Sequence, residues 1–297
     1  MVEGGKAMRI LPLASDSLGA RSMATYVETE DCKVLIDPNV RLAPMRFGLP
    51  PHASEKKGRA EMWRRIREHA GKAKVLTVSH YHYDHHNPDA PSIFRGRIAL
   101  LKDYERNTNT NQRTRGRSFA RKIRKYAKEI VIADDREFQF GRTKIDFSKP
   151  VVHGVNERMG YVLEVCIREG DQAFVHTSDI VGGCGRNQIG FILEHNPQTV
   201  MMDGALSYMM GVFGKKNMEL SQRNIVRLME ESDLRTLMID HHLLREKKWT
   251  ERIPEVFESA KRSDVKVLTC AGYLGRSDEI LEARRKELFG SSPRKRK

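Results

Sequence analysis

The sequence predicts an α/β protein. Short apolar runs of strand length alternate with longer stretches whose apolar residues recur at helical spacing. Several of the strand-like runs end directly in an acid or a histidine. With 297 residues, 39% of them hydrophobic and 31% charged, the chain can bury a substantial core. Two domains are possible at this length, but we expect one spanning 1–290, followed by a disordered basic tail at 291–297.

Taken in order, Met8 to Leu13 and Met23 to Glu28 read as strands. Cys32 to Pro38 reads as a third, closed by Asp37 and a proline that cannot continue it. Residues 41–54 carry Pro44, Gly48, Pro50 and Pro51 and are expected as loop. Glu55 to Ala70 is predicted helical because Met62, Ile66 and Ala70 repeat at i+4. A buried strand over 74–79 follows. The stretch 103–116, rich in Asn, Thr and Arg, is predicted as loop, and Arg117 to Ile130 as a helix with Phe119, Ile123, Tyr126, Ala127 and Ile130 inward. Strands are expected near 129–133, 143–147, 160–167 and 173–177. Asn217 to Glu231 is expected as a helix and Thr236 to Ile239 as a buried strand. Thr250 and Ser277 are expected as caps of two last helices, with a strand at Val265 to Thr269 between them.

No apolar run reaches the roughly 20 residues that span a bilayer, and the start is too polar for a secretory signal, which points to the cytoplasm. The four cysteines, Cys32, Cys166, Cys184 and Cys270, form no C-x-x-C pair, so zinc-ribbon and thioredoxin chemistries are excluded. Cys184 sits in the glycine-rich loop Gly182 to Gly185. The net charge of +14 suggests a polyanionic partner. It is concentrated at 102–128, where ten Lys or Arg face only Asp103 and Glu105. Arg117, Arg121, Lys122 and Lys125 are the candidate phosphate contacts, with a solvated basic surface as the plain alternative.

The densest chemistry lies in Thr77-Val78-Ser79-His80-Tyr81-His82-Tyr83-Asp84-His85-His86. Imidazole nitrogens and carboxylate oxygens are good ligands for Zn²⁺ and similar ions. Four ligands in six residues, His80, His82, Asp84 and His85, exceed what one tetrahedral ion with an open position needs, so two ions sharing the loop is the economical reading. Further candidates follow other apolar runs: Asp37, His153, Asp179 and His241.

This ordered series resembles the metallo-β-lactamase superfamily of metal-dependent hydrolases over roughly residues 8–272, and within it an archaeal branch. The resemblance implies a four-layer αββα sandwich of two mixed sheets with helices outside and a dinuclear site along one edge. It further implies that His80, His82 and His153 hold a first ion, that Asp84, His85 and His241 hold a second, and that Asp179 bridges them. Asp84 and Asp37 would be the catalytic acids, Asp84 binding metal, handling protons or both, and Asp37 orienting the cluster. His241 is preferred to His242 because it directly follows its strand and because His-x-x-x-Arg, with Arg245, is similar to the last motif of the RNA-processing members. His176 is expected in the core or behind a ligand, and His86 behind a ligand or against substrate.

Water between two such cations has its pKa lowered toward about 7, which supplies hydroxide at neutral pH. Zinc is the expected metal, with manganese or iron as alternatives. The di-iron oxygen-reducing relatives usually carry Glu where His82 stands, which argues against redox chemistry. The expected activity is therefore metal-dependent hydrolysis of an anionic substrate, with a lean to a phosphoester. Three alternatives compete with it: an RNA or DNA nuclease, a small-molecule lactonase-type hydrolase, and a nucleic-acid-binding module with a structural metal.

Overall fold

The computed structural model describes residues 7–185 and 187–290; the basic tail expected at 291–297 lies outside them. The chain runs β1 (Arg9–Pro12), β2 (Thr25–Glu28), β3 (Lys33–Ile36), α1 (Ala53–Lys72), β4 (Val75–Val78), β5 (Ile98–Leu101), α2 (Thr110–Ile123), β6 (Glu129–Ile132), β7 (Glu137–Phe140) and β8 (Thr143–Phe147). It continues with β9 (Val151–Val152), β10 (Tyr161–Val162), β11 (Val165–Glu169), β12 (Gln172–His176), α3 (Gly190–His195), β13 (Thr199–Met202), α4 (Met210–Phe213) and α5 (Lys215–Glu231). Last come β14 (Thr236–Ile239), α6 (Pro254–Arg262), β15 (Lys266–Leu268), α7 (Cys270–Tyr273) and α8 (Arg285–Gly290).

Two mixed sheets result. The first has the order β1-β2-β3-β4-β5-β6, parallel from β3 to β6. The second has the order β15-β14-β13-β12-β11-β8-β7, parallel from β12 to β15. Strand alternation stacks them. Val34 and Ile36 of β3 point between the sheets toward a cluster with Ile145, Val165, Phe174 and Met238. Leu35, Leu76 and Ala99 point the other way, under Met62 and Ile66 of α1 and Phe119 and Ile123 of α2. On the far side, Val200, Leu237 and Ile239 lie under Ile225 and Leu228 of α5 and Val256 of α6. The layers are αββα. Strands buried on both faces read as unbroken apolar runs, and β4 is buried at all four positions.

Several boundaries depart from the sequence expectation. Helix α2 begins at Thr110 rather than 117, because the Asn109 side chain accepts a hydrogen bond from the Gln112 N–H at 2.8 Å. It ends at Ile123, so Tyr126 and Ala127 lie beyond it and Ile130 belongs to β6. Gly116 lets α2 approach closely: a Cβ there would lie 2.4 Å from the Cβ of Tyr104. The 160–167 run is two strands rather than one. Strands β5, β7 and β13 were not anticipated. Neither Thr250 nor Ser277 caps a helix: α6 starts on Pro254, whose missing N–H costs nothing at a first helical position, and α8 starts at Arg285.

Arg285 ties the C-terminal segment to the start of α1. It is fully buried, donates to both oxygens of Glu55 at 2.6 and 2.8 Å, and donates to the carbonyls of Leu49 and Ala43. Glu55 in turn accepts from the His52 N–H that precedes the helix.

Candidate metal centre

The site forms where the parallel strands of both sheets end. The backbone leaves β3 at Asp37, β4 at Ser79 and His80, β12 at Asp179, β13 at Asp203 and β14 at His241 and His242. Carboxyl ends of parallel strands share one sheet edge, so these side chains converge although they are far apart in sequence. The turns are sharp. Asp37, Ser178, Val181 and His241 all sit in left-handed backbone, with φ of 48°, 55°, 56° and 49°. Each such residue stores about 1–3 kcal/mol of strain that the surrounding packing must offset.

Asp179 is the centre of the arrangement, buried with its two oxygens facing different partners. Oδ2 lies 3.4 Å from His153 Nε2, 3.6 Å from His80 Nε2 and 3.7 Å from His242 Nε2. Oδ1 lies 3.2 Å from His85 Nε2 and 3.7 Å from His241 Nε2. His82 completes the first group through Nδ1, 3.2 Å from His153 Nε2. Asp84 completes the second, 3.6 Å from His241 Nε2. The candidate ligand atoms of His80, His82, His153 and Asp179 all lie within 4.8 Å of one another, as do those of Asp84, His85 and His241. Buried His80 Nε2, His85 Nε2 and Asp179 Oδ1 have no hydrogen-bond partner among the described residues. Lone pairs left bare in a protein interior are costly. A cation would satisfy them, and the donor set fits a divalent ion.

Carboxylates behind the histidines set their direction. His85 Nδ1 lies 2.8 Å from Asp37, His241 Nδ1 2.7 Å from Asp16, and His242 Nδ1 2.7 Å from Asp203. A neutral imidazole that donates Nδ1–H to a carboxylate turns its Nε2 lone pair inward, the usual support of a metal-binding histidine. Asp37 also accepts from the Ser79 N–H and hydroxyl, and Asp203 from the N–H groups of Val181 and Gly182. Asp16 and Asp203 escaped the sequence reading. Asp203 had a usable signal, since it ends the apolar run Thr199 to Met202 just as Asp37 ends its own. Asp16 had none.

The electrostatics are those of a cluster waiting for positive charge. Burial works to raise the Asp179 carboxyl, yet His85, His241 and His242 outweigh it and hold the group well below the usual carboxylate range. Burial likewise opposes ionisation of Asp84, and His85, His241 and Arg245 hold it down. Burial depresses His80 and His242 strongly, and burial with the neighbouring His153 takes His82 to about 3. His85 and His241 go the other way. Burial resists, but Asp179 and Asp37 push His85 well up, while Asp179 and Asp16 raise His241 to about 9 against burial and Arg245.

The remaining expected residues are placed as follows. Asp37 is fully buried and bonded to Ser79 and His85, so it reaches a substrate only through His85. His242 lines the pocket beside His153, on the Oδ2 side of Asp179, and joins the site together with His241. Arg245 is held by Asp16 and Tyr208, with Nη2 3.0 Å from His241 Nε2 and 3.7 Å from Asp84. Its cation therefore leans on the second ligand group. His176 is a core histidine: Nδ1 accepts from Ser178 N–H and Nε2 meets the Met23 carbonyl. His86 bonds the His82 carbonyl and packs on Tyr81 and Phe119. Cys184 is buried in the core rather than poised, and burial raises its thiol to about 12. Gly182 is required beside it, because its φ is +70° and a Cβ would meet the Ala205 nitrogen at 2.7 Å. Of the basic candidates, Arg117 pairs with Glu105 and Lys122 donates to the Pro88 carbonyl, while Arg121 and Lys125 are exposed.

A cavity of about 760 Å³ opens over the cluster, with His82, Asp84, His153, Asp179 and His242 on its floor. The β9–β10 hairpin forms one wall. Gln112 of α2 bonds it at Tyr161, and Gln188 bonds the carbonyls of Val152 and Gly154. Among the described residues no helix is long and apolar enough to cross a membrane.

Relatives align with this chain over nearly all of its residues. The chain is 46% identical over 288 residues to a UPF0282 protein of Korarchaeum cryptofilum, covering 96% of each chain. It is 43% identical over 295 residues to one of Metallosphaera sedula, covering 97% of this chain and 95% of the relative. The chain belongs to the UPF0282 family. Among solved structures it is similar to the metallo-beta-lactamase fold protein YhfI from Bacillus subtilis, with a TM-score of 0.56 and 13% identity over 91% of this chain and 97% of that one. It is also similar to an isothiocyanate hydrolase from Delia radicum gut bacteria, with a TM-score of 0.54 and 14% identity over 84% and 94%. The UPF0282 chain thus has the metallo-β-lactamase fold. No model of a known protein family matches it.

Proposed function

We propose that this UPF0282 protein is a metal-dependent hydrolase. The observation that carries the reading is Asp179, whose two oxygens face two separate histidine groups, with His80 Nε2, His85 Nε2 and Asp179 Oδ1 left without a hydrogen-bond partner among the described residues. His80, His82 and His153 would hold a first divalent ion, and Asp84, His85 and His241 a second, with Asp179 between them. Zinc suits the nitrogen-rich set best. Such ions, when bound, acidify a water and polarise the scissile bond.

The chain's own residues supply the rest. Asp37 and Asp16 fix the tautomers of His85 and His241, and Asp203, its carboxyl pushed well above the usual range by burial and by Asp179, holds His242 in place at Nδ1. Asp84 reaches the pocket and, held ionised by His85, His241 and Arg245 against its burial, orients the attacking water by accepting a hydrogen bond from it. Arg245, steadied by Tyr208, faces the same space and offsets negative charge that develops on the substrate. The basic lining supports the lean to a phosphoester. A nuclease is the second reading, supported by one feature: Arg115 lines the pocket on the helix that also carries exposed Arg121, with exposed Lys125 just past its end. The four cysteines are buried and unpaired, which supports a reducing cytoplasm.

The test is metal content by elemental analysis, followed by turnover of bis(p-nitrophenyl) phosphate, a lactone and an RNA, each with and without chelator. Chelator-sensitive hydrolysis is expected. Bound metal with no turnover on any of them would favour a binding module. Asp179→Ala should lower both metal occupancy and rate; two ions retained at full affinity would show that the bridge lies elsewhere.

A further inference from the structure

We infer that the substrate is a small amphiphile, with an oxyanion held by Arg41 and Arg115 and an apolar body laid along the exposed hydrophobic side chains of the same cavity; this rests on the hydrolase reading and narrows its substrate. Two independent features of the cavity point there.

The first is an uncompensated pair of cations. The Arg41 guanidinium lies 5.0 Å from the Tyr83 ring centroid and that of Arg115 lies 4.4 Å from it. The two are therefore within about 10 Å of each other, no more than a screening length in 0.1 M salt. Both line the cavity, and neither forms an ion pair with a described residue. Of the other arginines of the cavity, Arg21 is clamped by Glu282 at 2.6 Å and Arg245 by Asp16, while Arg158, exposed on the hairpin, also has no ion pair with a described residue. Tyr83 lies within the ligand loop, between His82 and Asp84, so an anion on this pair sits beside the reacting centre. Guanidinium forks match carboxylate or phosphate oxygens in geometry as well as charge.

The second feature is an apolar wall left open to water. Val155 and Met159 of the β9–β10 hairpin are 47% and 49% exposed, and Met209 and Val212, just before α5, are 40% and 78% exposed. All four line the same cavity, with Leu206 at their back. Four of the eight large hydrophobic side chains that are exposed among the described residues thus gather at one mouth. A polynucleotide offers such a wall nothing, since its binding surfaces pair basic residues with stacking aromatics. An aliphatic or isoprenoid chain does, and unbranched methionine adapts to one.

The test is titration calorimetry of the metal-loaded protein with alkylphosphonates of two, four, six and eight carbons, octanoate and octanol. Binding is read without turnover, so failure of hydrolysis and failure of this inference stay separate. Affinity should rise two- to four-fold per added methylene, and octanol should bind at least ten-fold more weakly than octylphosphonate. Octanoate against octylphosphonate tells a carboxylate head from a phosphate one. Arg41→Gln with Arg115→Gln should cost roughly ten- to a hundred-fold while leaving the chain-length slope intact. Met209→Ser with Val212→Ser, both on exposed side chains that folding does not need, should flatten that slope. A flat series in the unmodified protein, octanol equal to octylphosphonate, or displacement of octylphosphonate by an oligonucleotide but by no amphiphile would overturn the proposal.

Discussion

Replacing Asp37 with asparagine preserves the shape of the site and changes only which proton goes where. Asp37 accepts three hydrogen bonds, from the Ser79 N–H at 2.8 Å, the Ser79 hydroxyl at 2.6 Å and His85 Nδ1 at 2.8 Å. An asparagine oxygen can still take the Ser79 N–H, but its amide then meets His85 with a donor. His85 must move its proton to Nε2, where Asp179 Oδ1 waits 3.2 Å away. The inward lone pair is gone. Loss of such a supporting contact costs about 10- to 100-fold in metal affinity, roughly 1.4–2.8 kcal/mol. Stability should change by only about 1 kcal/mol, the difference between a charged and a neutral hydrogen bond. Asp37→Ala behaves differently, because it also strands the buried Ser79 N–H and adds about 1–3 kcal/mol of instability. The assay is competition for Zn²⁺ with a chromophoric chelator, beside thermal melts of both variants. If Asp37→Asn binds both ions as tightly as the parent, His85 does not ligate through Nε2 and the tautomer argument fails.

Other consequences are open to direct measurement. In the ion-free protein His85 is held well above the usual imidazole range and His241 at about 9. Metal must therefore displace protons, so affinity falls as pH falls, and calorimetry in buffers of different ionisation heat at pH 7.5 should register proton release; none released would contradict the assignment. Linkage gives the ion-free fold the opposite trend. The stability these two histidines confer is fully present below the unfolded pKa, about 6.5, and is lost as pH rises through about 9 for His241. Arg285→Met leaves Glu55 buried and unpaired and should cost about 3–5 kcal/mol, while the double change with Glu55→Met should cost less than Arg285→Met alone; equal melting points for all three would refute the buried-pair account. Arg121→Ala with Lys122→Ala and Lys125→Ala should weaken RNA binding and shallow its salt dependence without changing turnover of a small ester. Loss of both together would indicate misfolding.

Much of the centre could be read from the chain alone for a simple reason. His80, His82, Asp84 and His85 are contiguous, so one loop displays most of the donors whatever surrounds it. Asp37 and Asp179 were legible because each ends a stretch that packs as a strand, and strand ends are where side chains leave the core. The same rule, applied to Thr199 to Met202, would have found Asp203. The start of α2 was missed because Asn, Thr and Arg look like loop until the Asn109 cap is recognised.

Sequence by itself therefore settled the kinds of chemistry present and the order in which they arrive. Which oxygen of Asp179 faces which histidines was a matter for the two sheets to decide, since those partners come from different strand ends. Asp16 meets His241 across 225 residues, and Arg41 meets Arg115 at one tyrosine. Neither encounter leaves a local trace. They exist because parallel strands pointing the same way place their carboxyl ends along a common edge, and only close packing of the two sheets brings those edges into register.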